Sequence, residues 1–293
     1  MSKYIAGVDI GGTSVKFGVL TEDGELMYQT QAKSVIGDPT KMVELIAKMV
    51  EEAPYPISMI GVGTPGTVRL PQNMVSAANL KWKNVSLRNM ISRRLHRPVW
   101  VDNDAQTQLA AECWNGASQG LKSVLYLTYG TGVGGALMID GKPWRGHRNT
   151  AGELGHTITH ADGLECGCGM RGCYEMYASA SALVRMAGGE LNAKQIIDRV
   201  REGDEAMGRI FDQYLHEVAL GIAGYFMVFR PEAIVLGGGI SAAGDIFLDG
   251  VRQALVQIIP NCADEICDIL CLALHRNEAG IRGAAALAKE YCR

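Results

Sequence analysis

The sequence has no long apolar segment, no clustered charge and no low-complexity linker. Its 293 residues carry a formal net charge of −3, and the basic residues are scattered along the chain. Nucleic-acid binding needs a concentrated positive surface, and a membrane-spanning helix needs about 20 mostly apolar residues in succession. The N-terminus also lacks the basic and apolar segments of a secretion signal. These absences predict a cytoplasmic protein that binds a small molecule and neither nucleic acid nor membrane.

The sequence supports neither of two common phosphate-binding motifs. No segment matches the G-x-x-x-x-G-K-[ST] pattern of a P-loop. Gly130, Gly132 and Gly135 do satisfy G-x-G-x-x-G, but in a dinucleotide-binding unit the last glycine opens a helix. Here the following residues are typical of a strand and end in the turn Asp140-Gly141. We therefore exclude the dinucleotide-binding interpretation.

Strands and helices alternate along the chain, which predicts an α/β layered protein. Strands are expected at 4–10, 14–20, 25–32, 57–63, 98–104, 123–129, 136–140, 233–239 and 267–274. Helical periodicity predicts helices at about 40–52, 86–95, 104–115, 176–187, 193–201, 204–229 and 245–259, and from 279 onward. The order of strand, glycine-rich turn and strand at the N-terminus returns near residue 130. This repetition predicts two related halves.

The same repetition suggests the limits of two domains. We expect a small α/β domain at 1–115 plus about 276–293, and a large α/β domain with a cysteine-rich motif at 116–275. No linker composition marks the boundaries. These limits therefore depend on the positions of the expected strands and helices.

Glycine-rich turns follow three of the expected strands. They contain Gly11-Gly12-Thr13, Gly130-Thr131-Gly132 and Gly237-Gly238-Gly239. Backbone N–H groups of such turns hold phosphate oxygens well, because glycine has no Cβ to keep an anion away. One such turn alone is more often only a tight turn, but three of them favour a nucleotide site. Asp9 adds a carboxylate suited to Mg²⁺; Lys16 adds a cation, although a solvated strand lysine is nearly as good an explanation.

Polar side chains with complementary chemistry occur at the end of one strand and in two later motifs. Asn103 and Asp104 follow an expected strand, where α/β proteins place their chemistry. Asp104 alone is equally well explained as a helix N-cap. Glu153, His156 and Glu175 add donors and acceptors. Together this set suits an uncharged ligand with many hydroxyl groups, such as a sugar.

Three cysteines lie within eight residues, in the pattern C-x-C-x₄-C. Cys166, Cys168 and Cys173 do not match the C-x-x-C of thioredoxin-like redox sites, and an odd number leaves one thiol without a disulfide partner. Structural zinc takes four ligands. The fourth candidate is His156, and spacing alone leaves His160 open. Five cysteines and two histidines have no metal-like partners and are interpreted as packed or surface residues: Cys113, Cys262, Cys267, Cys271, Cys292, His147 and His275.

Eight segments of the chain occur in an order that resembles the ROK family of bacterial sugar kinases and repressors. They are DIGGTSVK (9–16), TPGTV (64–68), ANLKWKNVSL (78–87), VDNDA (101–105), LTYGTGVGGALMIDG (127–141), GELGH (152–156), CGCGMRGCYE (166–175) and LGGGI (236–240). The resemblance covers nearly the whole chain, and GELGH followed by the cysteine motif is its most specific part. It implies an α/β, two-domain actin/hexokinase-like (ribonuclease H-like) ATPase fold, with duplicated βββαβα cores around a cleft.

The resemblance also implies a function for each motif. The sugar would be bound by Gly66, Asn79, Asn103, Asp104, Glu153, His156 and Glu175. ATP would be held by Gly11, Gly12, Thr13, Thr131, Gly132, Gly237 and Gly238. Structural Zn²⁺ would be bound by His156, Cys166, Cys168 and Cys173. Asp104 would be the general base, accepting the proton of a sugar hydroxyl, O6 by preference, as that oxygen attacks the γ-phosphate of ATP with the help of Mg²⁺.

Glucose is the favoured substrate, because Glu153, His156 and Glu175 are all present as in glucokinases. N-acetylmannosamine, or another hexose or N-acetylhexosamine, is the alternative. One departure from the family is Gln106, where Asn is most common. The resemblance also makes a homodimer the expected assembly.

Three other classes of protein share parts of this resemblance. A sugar sensor without catalysis could lose Asp104, which is present here, and a repressor would carry a helix-turn-helix, for which the sequence leaves no room before its first strand. A chaperone or filament of the superfamily would not need GELGH or the cysteines. The sugar kinase is therefore the preferred interpretation.

Overall fold

The structure is a computed structural model that describes residues 4–71 and 73–292. Its strands are β1 (Tyr4–Ile10), β2 (Ser14–Leu20), β3 (Leu26–Lys33), β4 (Ile57–Thr64), β5 (Thr67–Arg69), β6 (Met74–Ala77), β7 (Trp82–Val85), β8 (Val99–Asn103), β9 (Val124–Tyr129), β10 (Val133–Ile139), β11 (Lys142–Pro143), β12 (Ala233–Gly237) and β13 (Leu270–Leu272). Its helices are α1 (Pro39–Glu51), α2 (Leu87–Leu95), α3 (Asp104–Asn115), α4 (Glu175–Ala178), α5 (Ala180–Met186), α6 (Ala193–Arg201), α7 (Glu205–Phe229), α8 (Asp245–Ile258), α9 (Ala263–Asp268) and α10 (Ala279–Tyr291). None of the helices in this described part is both long and apolar enough to cross a membrane.

The chain divides into two compact units. The first unit contains Met1–Gly120, Pro143–Ala151 and Asn277–Arg293, and the second contains Leu121–Lys142 and Gly152–Arg276. Pro143–Ala151 thus belongs to the first unit, although the residues on both sides of it belong to the second. The sequence pattern shows no sign of this segment, because its assignment depends on spatial contacts and not on local periodicity.

Each unit contains a five-stranded sheet with an equivalent strand order. The order is β3-β2-β1-β4-β8 in the first unit and β11-β10-β9-β12-β13 in the second. In the first sheet β1 pairs antiparallel with β2 and parallel with β4, which pairs parallel with β8. In the second sheet β9 pairs antiparallel with β10 and parallel with β12, which pairs parallel with β13. The predicted α/β fold with duplicated cores is confirmed.

Helix α10 packs against the first sheet at very short range. A Cβ built on Gly7 of β1 would lie 2.0 Å from the carbonyl oxygen of Ile281, and one on Gly61 of β4 would lie 1.7 Å from that of Ala284. Glycine at these two positions therefore permits the backbone of α10 to contact the strands directly. This close packing brings the beginning of α10 next to the carboxyl end of β1.

The long helix α7 is the central helix of the second unit. Asp204 caps its N-terminus, accepting hydrogen bonds from the backbone N–H groups of Ala206 and Met207. Its buried face includes Phe211, Leu215, Val218, Ile222 and Phe226, in the three-and-four spacing of an amphipathic helix. The helix packs against α4, α5, α6 and α8 of the same unit.

Three local predictions were wrong, and one small sheet was not predicted. The helix expected at 176–187 is divided at Ser179, whose hydroxyl caps α5 by accepting from Ala182 N at 3.1 Å. The strand expected at 267–274 is only Leu270–Leu272, because Ala263–Asp268 form α9. The strand after the second glycine turn begins at Val133 and not at Ala136. The three-stranded sheet β5-β6-β7 was not predicted, because its strands are too short to show a clear alternation.

Candidate active site

The first unit places several predicted site residues at one edge of its sheet. Strands β1, β4 and β8 are parallel neighbours, and their register pairs Asp9 with Gly63 and Thr64 with Asn103. The carboxyl ends of these strands therefore meet at the same edge. The turn after β1, the turn at Gly66 and the start of α3 all follow from this edge.

The turn after β1 is stabilised from within while its tip faces solvent. The N–H of Gly11 donates to the carbonyl oxygen of Ser14 at 2.9 Å. The hydroxyl of Ser34 donates to the carbonyl oxygen of Gly11 at 2.6 Å. Gly12 and Thr13 are exposed, and a Cβ built on Gly12 would meet no atom within 4 Å. A rigid turn with an open, glycine-containing tip is well suited to bind an anion.

Asp9 lies beside this turn and has a cation for a cross-strand neighbour. Burial raises the pKa of the Asp9 carboxyl group, and the charge of Lys16, its partner in the β1–β2 register, lowers the pKa in turn. Lys16 Nζ donates to the carbonyl oxygen of Asn277 at 3.2 Å. A Cβ on Gly280 in α10 would lie 2.4 Å from Asp9 Cγ. Sequence analysis missed Gly280, since only the packing of α10 brings it to Asp9.

Asn103, and not Asp104, is the N-cap of α3. Asn103 Oδ1 accepts from the N–H of Ala105 at 2.8 Å, and its Nδ2 donates to the carbonyl oxygen of Gly66 at 2.9 Å. Gly66 has a φ of +86°, and a Cβ there would lie 2.3 Å from the carbonyl oxygen of Ser76. Asp104 is the first residue of α3 and is partly exposed. The N-cap explanation of Asp104 is therefore wrong.

Behind Asn103 lies a buried ion pair that sequence analysis missed. Asp102 is fully buried, and its Oδ2 accepts from Arg145 Nη1 at 2.5 Å while its Oδ1 accepts from the backbone N–H of Asn103 at 3.0 Å. Asn149 joins the network by accepting from Arg145 Nη1 at 2.8 Å. Arg145 also lies over the ring of Trp100, with its guanidinium carbon 5.6 Å from the centroid. This network holds the end of β8, from which Asp104 follows.

The Asp102–Arg145 pair is electrostatically coupled. Burial lowers the pKa of Arg145, but the Asp102 carboxylate and the Tyr291 hydroxyl together raise it above its usual value. The sequence offered one signal for this ion pair, which is the carboxylate of Asp102 within strand β8. No local signal identified Arg145, which lies 43 residues further along the chain.

Asn79 and Gln106 are two further residues of the first unit that the sequence singled out. Asn79 is exposed on a 3₁₀ turn at Ala78–Leu80, between β6 and β7. Gln106, the departure from the family pattern, is 5% exposed in the first turn of α3. Its backbone N–H donates to Asn103 Oδ1 at 3.4 Å, so the longer side chain does not prevent the N-cap.

In the second unit, two glycine turns lie next to each other. The N–H of Gly130 donates to the carbonyl oxygen of Gly132 at 3.0 Å, which closes the turn between β9 and β10. Gly238 has a φ of +84°, and a Cβ there would lie 2.4 Å from the carbonyl oxygen of Tyr129. A Cβ on Gly237 would lie 2.0 Å from the hydroxyl oxygen of Tyr126. The glycines after β12 thus lie against the end of β9, and Thr131 lies in the same region.

The GELGH segment is packed tightly against β10. A Cβ on Gly155 would lie 2.0 Å from the carbonyl oxygen of Val133, so glycine is required for this approach. Leu154, between Glu153 and Gly155, is buried, whereas Glu153 is exposed and His156 is partly exposed. The segment therefore anchors itself through Leu154 and Gly155 and leaves the two polar side chains accessible.

The cysteine motif and one histidine form a cluster with the geometry of a metal site. The four ligand atoms of His156, Cys166, Cys168 and Cys173 all lie within 4.8 Å of one another. Cys168 Sγ and Cys173 Sγ are 3.6 Å apart, as are Cys166 Sγ and His156 Nδ1. A tetrahedral Zn²⁺ with bonds of about 2.3 Å has ligand atoms about 3.8 Å apart. Both the donor set and its dimensions fit zinc.

His160 makes other contacts. Its ring stacks on that of Tyr177 with centroids 3.8 Å apart, and its Nδ1 is 3.0 Å from the hydroxyl of Thr159. Its Nε2 lies 3.5 Å from a carboxylate oxygen of Glu217. Of the two histidines that spacing left open, the structure brings His156 into the cluster.

Glu175 links this cluster to the glycine turn. Its Oε1 is 3.0 Å from Cys166 Sγ and 3.5 Å from His156 Nδ1. Its Oε2 accepts from the N–H of Val133 at 3.4 Å and occupies the space of a side chain at Gly132, where a Cβ would lie 2.5 Å away. The structure therefore brings together Glu175, His156 and the turn between β9 and β10.

Comparisons with known proteins agree with these motifs. The sequence profile described as the ROK family matches residues 5–291. The glucokinase of Thermotoga maritima is 32% identical to this chain, over 98% of the chain and 97% of the relative. The N-acetyl-D-glucosamine kinase of Photobacterium profundum is 30% identical, over 96% of the chain and 98% of the relative.

A solved structure extends the comparison to three dimensions. The ROK family glucokinase from Streptomyces griseus, crystallised with glucose and AMPPNP, superimposes with a TM-score of 0.86. It is 31% identical, and the match covers 98% of this chain and 99% of that one. The likeness therefore extends over both units.

Proposed function

The chain belongs to the ROK family, and we propose that it is an ATP-dependent sugar kinase that transfers the γ-phosphate of ATP to O6 of glucose. The observation that carries this proposal is the N-terminus of α3, where Asn103 caps the helix and leaves Asp104 partly exposed at its first position. Relatives with glucokinase activity in their names cover nearly the whole chain. The enzyme is thus a hexokinase-type phosphotransferase.

Asp104 is proposed as the general base. Its carboxylate would accept the proton of the sugar O6 as that oxygen attacks the γ-phosphate. Asn103 keeps the base in place through its bond to Gly66, and the buried Asp102 supports the backbone N–H of Asn103 from behind. The three consecutive polar residues therefore have three different roles.

The glycine turns are proposed to bind the phosphates of ATP. The open tip at Gly12 and Thr13 and the turn at Thr131 and Gly132 present backbone donors to anions. Gly237 and Gly238 permit close approach after β12. Asp9 would hold Mg²⁺, whose charge offsets that of the phosphates, and its partly buried carboxylate fits this cation. Lys16 supplies a further positive charge next to it.

The sugar is proposed to be read by side chains that the structure leaves accessible. In the first unit these are Asn79, Asn103 and Asp104, with the Gly66 backbone. In the second unit they are Glu153, His156 and Glu175. Carboxylate, amide and imidazole groups match the alternating donors and acceptors of a hexose.

Zinc is proposed to stabilise the positions of the sugar-reading residues His156 and Glu175. Cys166, Cys168, Cys173 and His156 Nδ1 would be its four ligands, so the site would be structural, without an open position. A metal bond at Nδ1 would fix the ring and direct Nε2 toward a sugar hydroxyl. Because Glu175 follows the last cysteine by two residues, the same site would orient a second sugar-reading side chain.

Removal of one zinc ligand should weaken sugar binding. In Cys168→Ala we expect bound zinc to fall from about one ion per chain to a small fraction, and the KM for glucose to rise several-fold, because His156 and Glu175 lose their support. Elemental analysis of protein purified without chelators, together with steady-state kinetics, measures both effects. Cys262→Ala, outside the cluster, is the control and should retain metal and KM. Wild-type protein without zinc would contradict the assignment.

A panel of sugars tests the proposed reaction itself. We expect ADP release with glucose to exceed that with N-acetylglucosamine, N-acetylmannosamine, mannose and fructose, measured by a coupled assay with ATP and Mg²⁺. The N-acetylhexosamines represent the alternative function, which the Photobacterium relative favours. Preference for one of them would replace glucose as the substrate, and no turnover of any sugar would refute the kinase. The homodimer and the cytoplasmic location stay predictions.

A further inference from the structure

Four buried tyrosines connect the ligand-facing segments of the second unit to helix α7. This tyrosine cluster consists of Tyr129, Tyr174, Tyr214 and Tyr225, with exposed fractions of 0%, 0%, 0% and 6%. All four hydroxyl groups form hydrogen bonds of 2.5 to 2.9 Å. A phenol is uncharged at neutral pH, so each hydroxyl has a hydrogen to donate.

Tyr225 holds the GELGH segment. Its hydroxyl, on α7, donates to the carbonyl oxygen of Leu154 at 2.5 Å. This carbonyl belongs to the peptide between Leu154 and Gly155, so its direction determines how the chain runs from Glu153 to His156. A single buried hydroxyl thus orients the backbone that carries two proposed sugar-reading side chains.

Tyr174 and Tyr214 hold the two ends of α4, which begins with Glu175. Tyr174 immediately precedes Glu175 and donates to the carbonyl oxygen of Val218 on α7 at 2.7 Å. Tyr214, also on α7, donates to the carbonyl oxygen of Ala178, the last residue of α4, at 2.8 Å. Glu175 therefore projects from a single helical turn that is attached to α7 at both ends.

Tyr129 extends the cluster to the glycine turn. It is the last residue of β9 and directly precedes Gly130, and its hydroxyl oxygen is 2.9 Å from that of Tyr174. Because the hydrogen of Tyr174 is used for Val218, Tyr129 is the donor in this pair. This hydrogen bond therefore links the proposed phosphate-binding turn to α4.

Packing alone does not require these hydroxyl groups. Phenylalanine would fill nearly the same space without the cost of burying a polar atom. Instead, three of the hydroxyls donate to backbone carbonyls, and two of these carbonyls lie within the segments that carry Glu153, His156 and Glu175. We propose that the tyrosine cluster positions the sugar-reading and phosphate-binding segments of the second unit on α7. This inference rests on the proposed kinase function.

The proposal predicts a separation of effects between two conservative variants. Tyr225→Phe should raise the KM for glucose about five-fold, the effect of one buried hydrogen bond, and leave the KM for ATP within about two-fold. Tyr129→Phe should raise the KM for ATP about five-fold and leave the KM for glucose within about two-fold, because its hydroxyl secures the turn at Gly130. A purely structural role would lower the melting temperature and would not divide the two Michaelis constants in this way.

Ile266→Val provides a control for lost stability, since Ile266 is buried in α9 of the same core. It should lower the melting temperature as Tyr225→Phe does and change neither KM. Equal changes of both constants in Tyr225→Phe, or no change, would overturn the proposal. Hydrogen exchange supplies a readout that needs no turnover: in Tyr225→Phe, the amides of 153–157 should exchange faster than in the wild type. Unchanged exchange there would refute the proposal, whereas an inactive wild type would refute only the kinase.

Discussion

Asp104→Asn is expected to lower kcat for phosphoryl transfer by a factor of about a hundred to ten thousand, the usual contribution of a general base. The amide has the shape of the carboxylate but does not accept the proton of the attacking hydroxyl. The N-cap of α3 should survive, because Asn103 supplies it. A coupled ADP-release assay measures kcat, and calorimetry measures sugar and nucleotide binding, which should change little.

The control for this experiment is Asp212→Asn, at an exposed position of α7. It removes the same charge far from the proposed base in sequence and should retain wild-type kcat. Asp104→Asn protein with an unchanged melting temperature and near wild-type kcat would remove Asp104 as the base. The same result would favour a kinase mechanism driven by positioning of the substrates alone.

Arg145→Met is expected to lower the free energy of unfolding by about 3–5 kcal/mol, because it leaves the buried carboxylate of Asp102 without its cation. Asp102 is fully buried and the side chain of Arg145 is 15% exposed, so solvent does not replace the lost partner. Urea denaturation measures the change. Since Asp102 Oδ1 also supports the N–H of Asn103, we expect kcat to fall as well.

A double variant separates the lost charge partner from the lost packing. In Asp102→Asn/Arg145→Met no buried charge remains, and much of the stability should return. Arg94→Met is the matched surface control, because Arg94 pairs with Glu44 and Glu51 at exposed positions; its effect should be far smaller. A single Arg145→Met variant as stable as the wild type would contradict the role of the buried pair.

The parts of the fold that were predicted correctly are those with strong local signals. Strands β1 and β2 begin and end where the alternation and the glycine turn predict, and α3 begins directly after the polar residues of β8. The errors lie where competing local patterns were equally good. The strand expected at 267–274 is shorter, because Cys267 and Asp268 end helix α9, which packs against α8.

The residues of the candidate site also divide into those predictable from local sequence and those that required the structure. Motif spacing predicted the cysteine cluster with His156 as the candidate fourth ligand, because the four residues lie close together in the chain and a short loop can close around one ion. The position of Asp104 at the end of a strand was predictable for the same local reason. Choosing His156 over His160 required coordinates, because ring orientation depends on neighbours such as Tyr177.

By itself, the sequence determined the class of fold, the family and the local sets of polar and metal-binding side chains, since each depends on periodicity or on spacing within a short segment. Only the tertiary structure decided which distant residues support them: Arg145 for Asp102, Gly280 for Asp9 and Tyr225 for the GELGH segment. The physical reason is that these contacts join elements far apart in the chain. They form when helices and strands pack, and no local sequence pattern specifies which distant residue will make the contact.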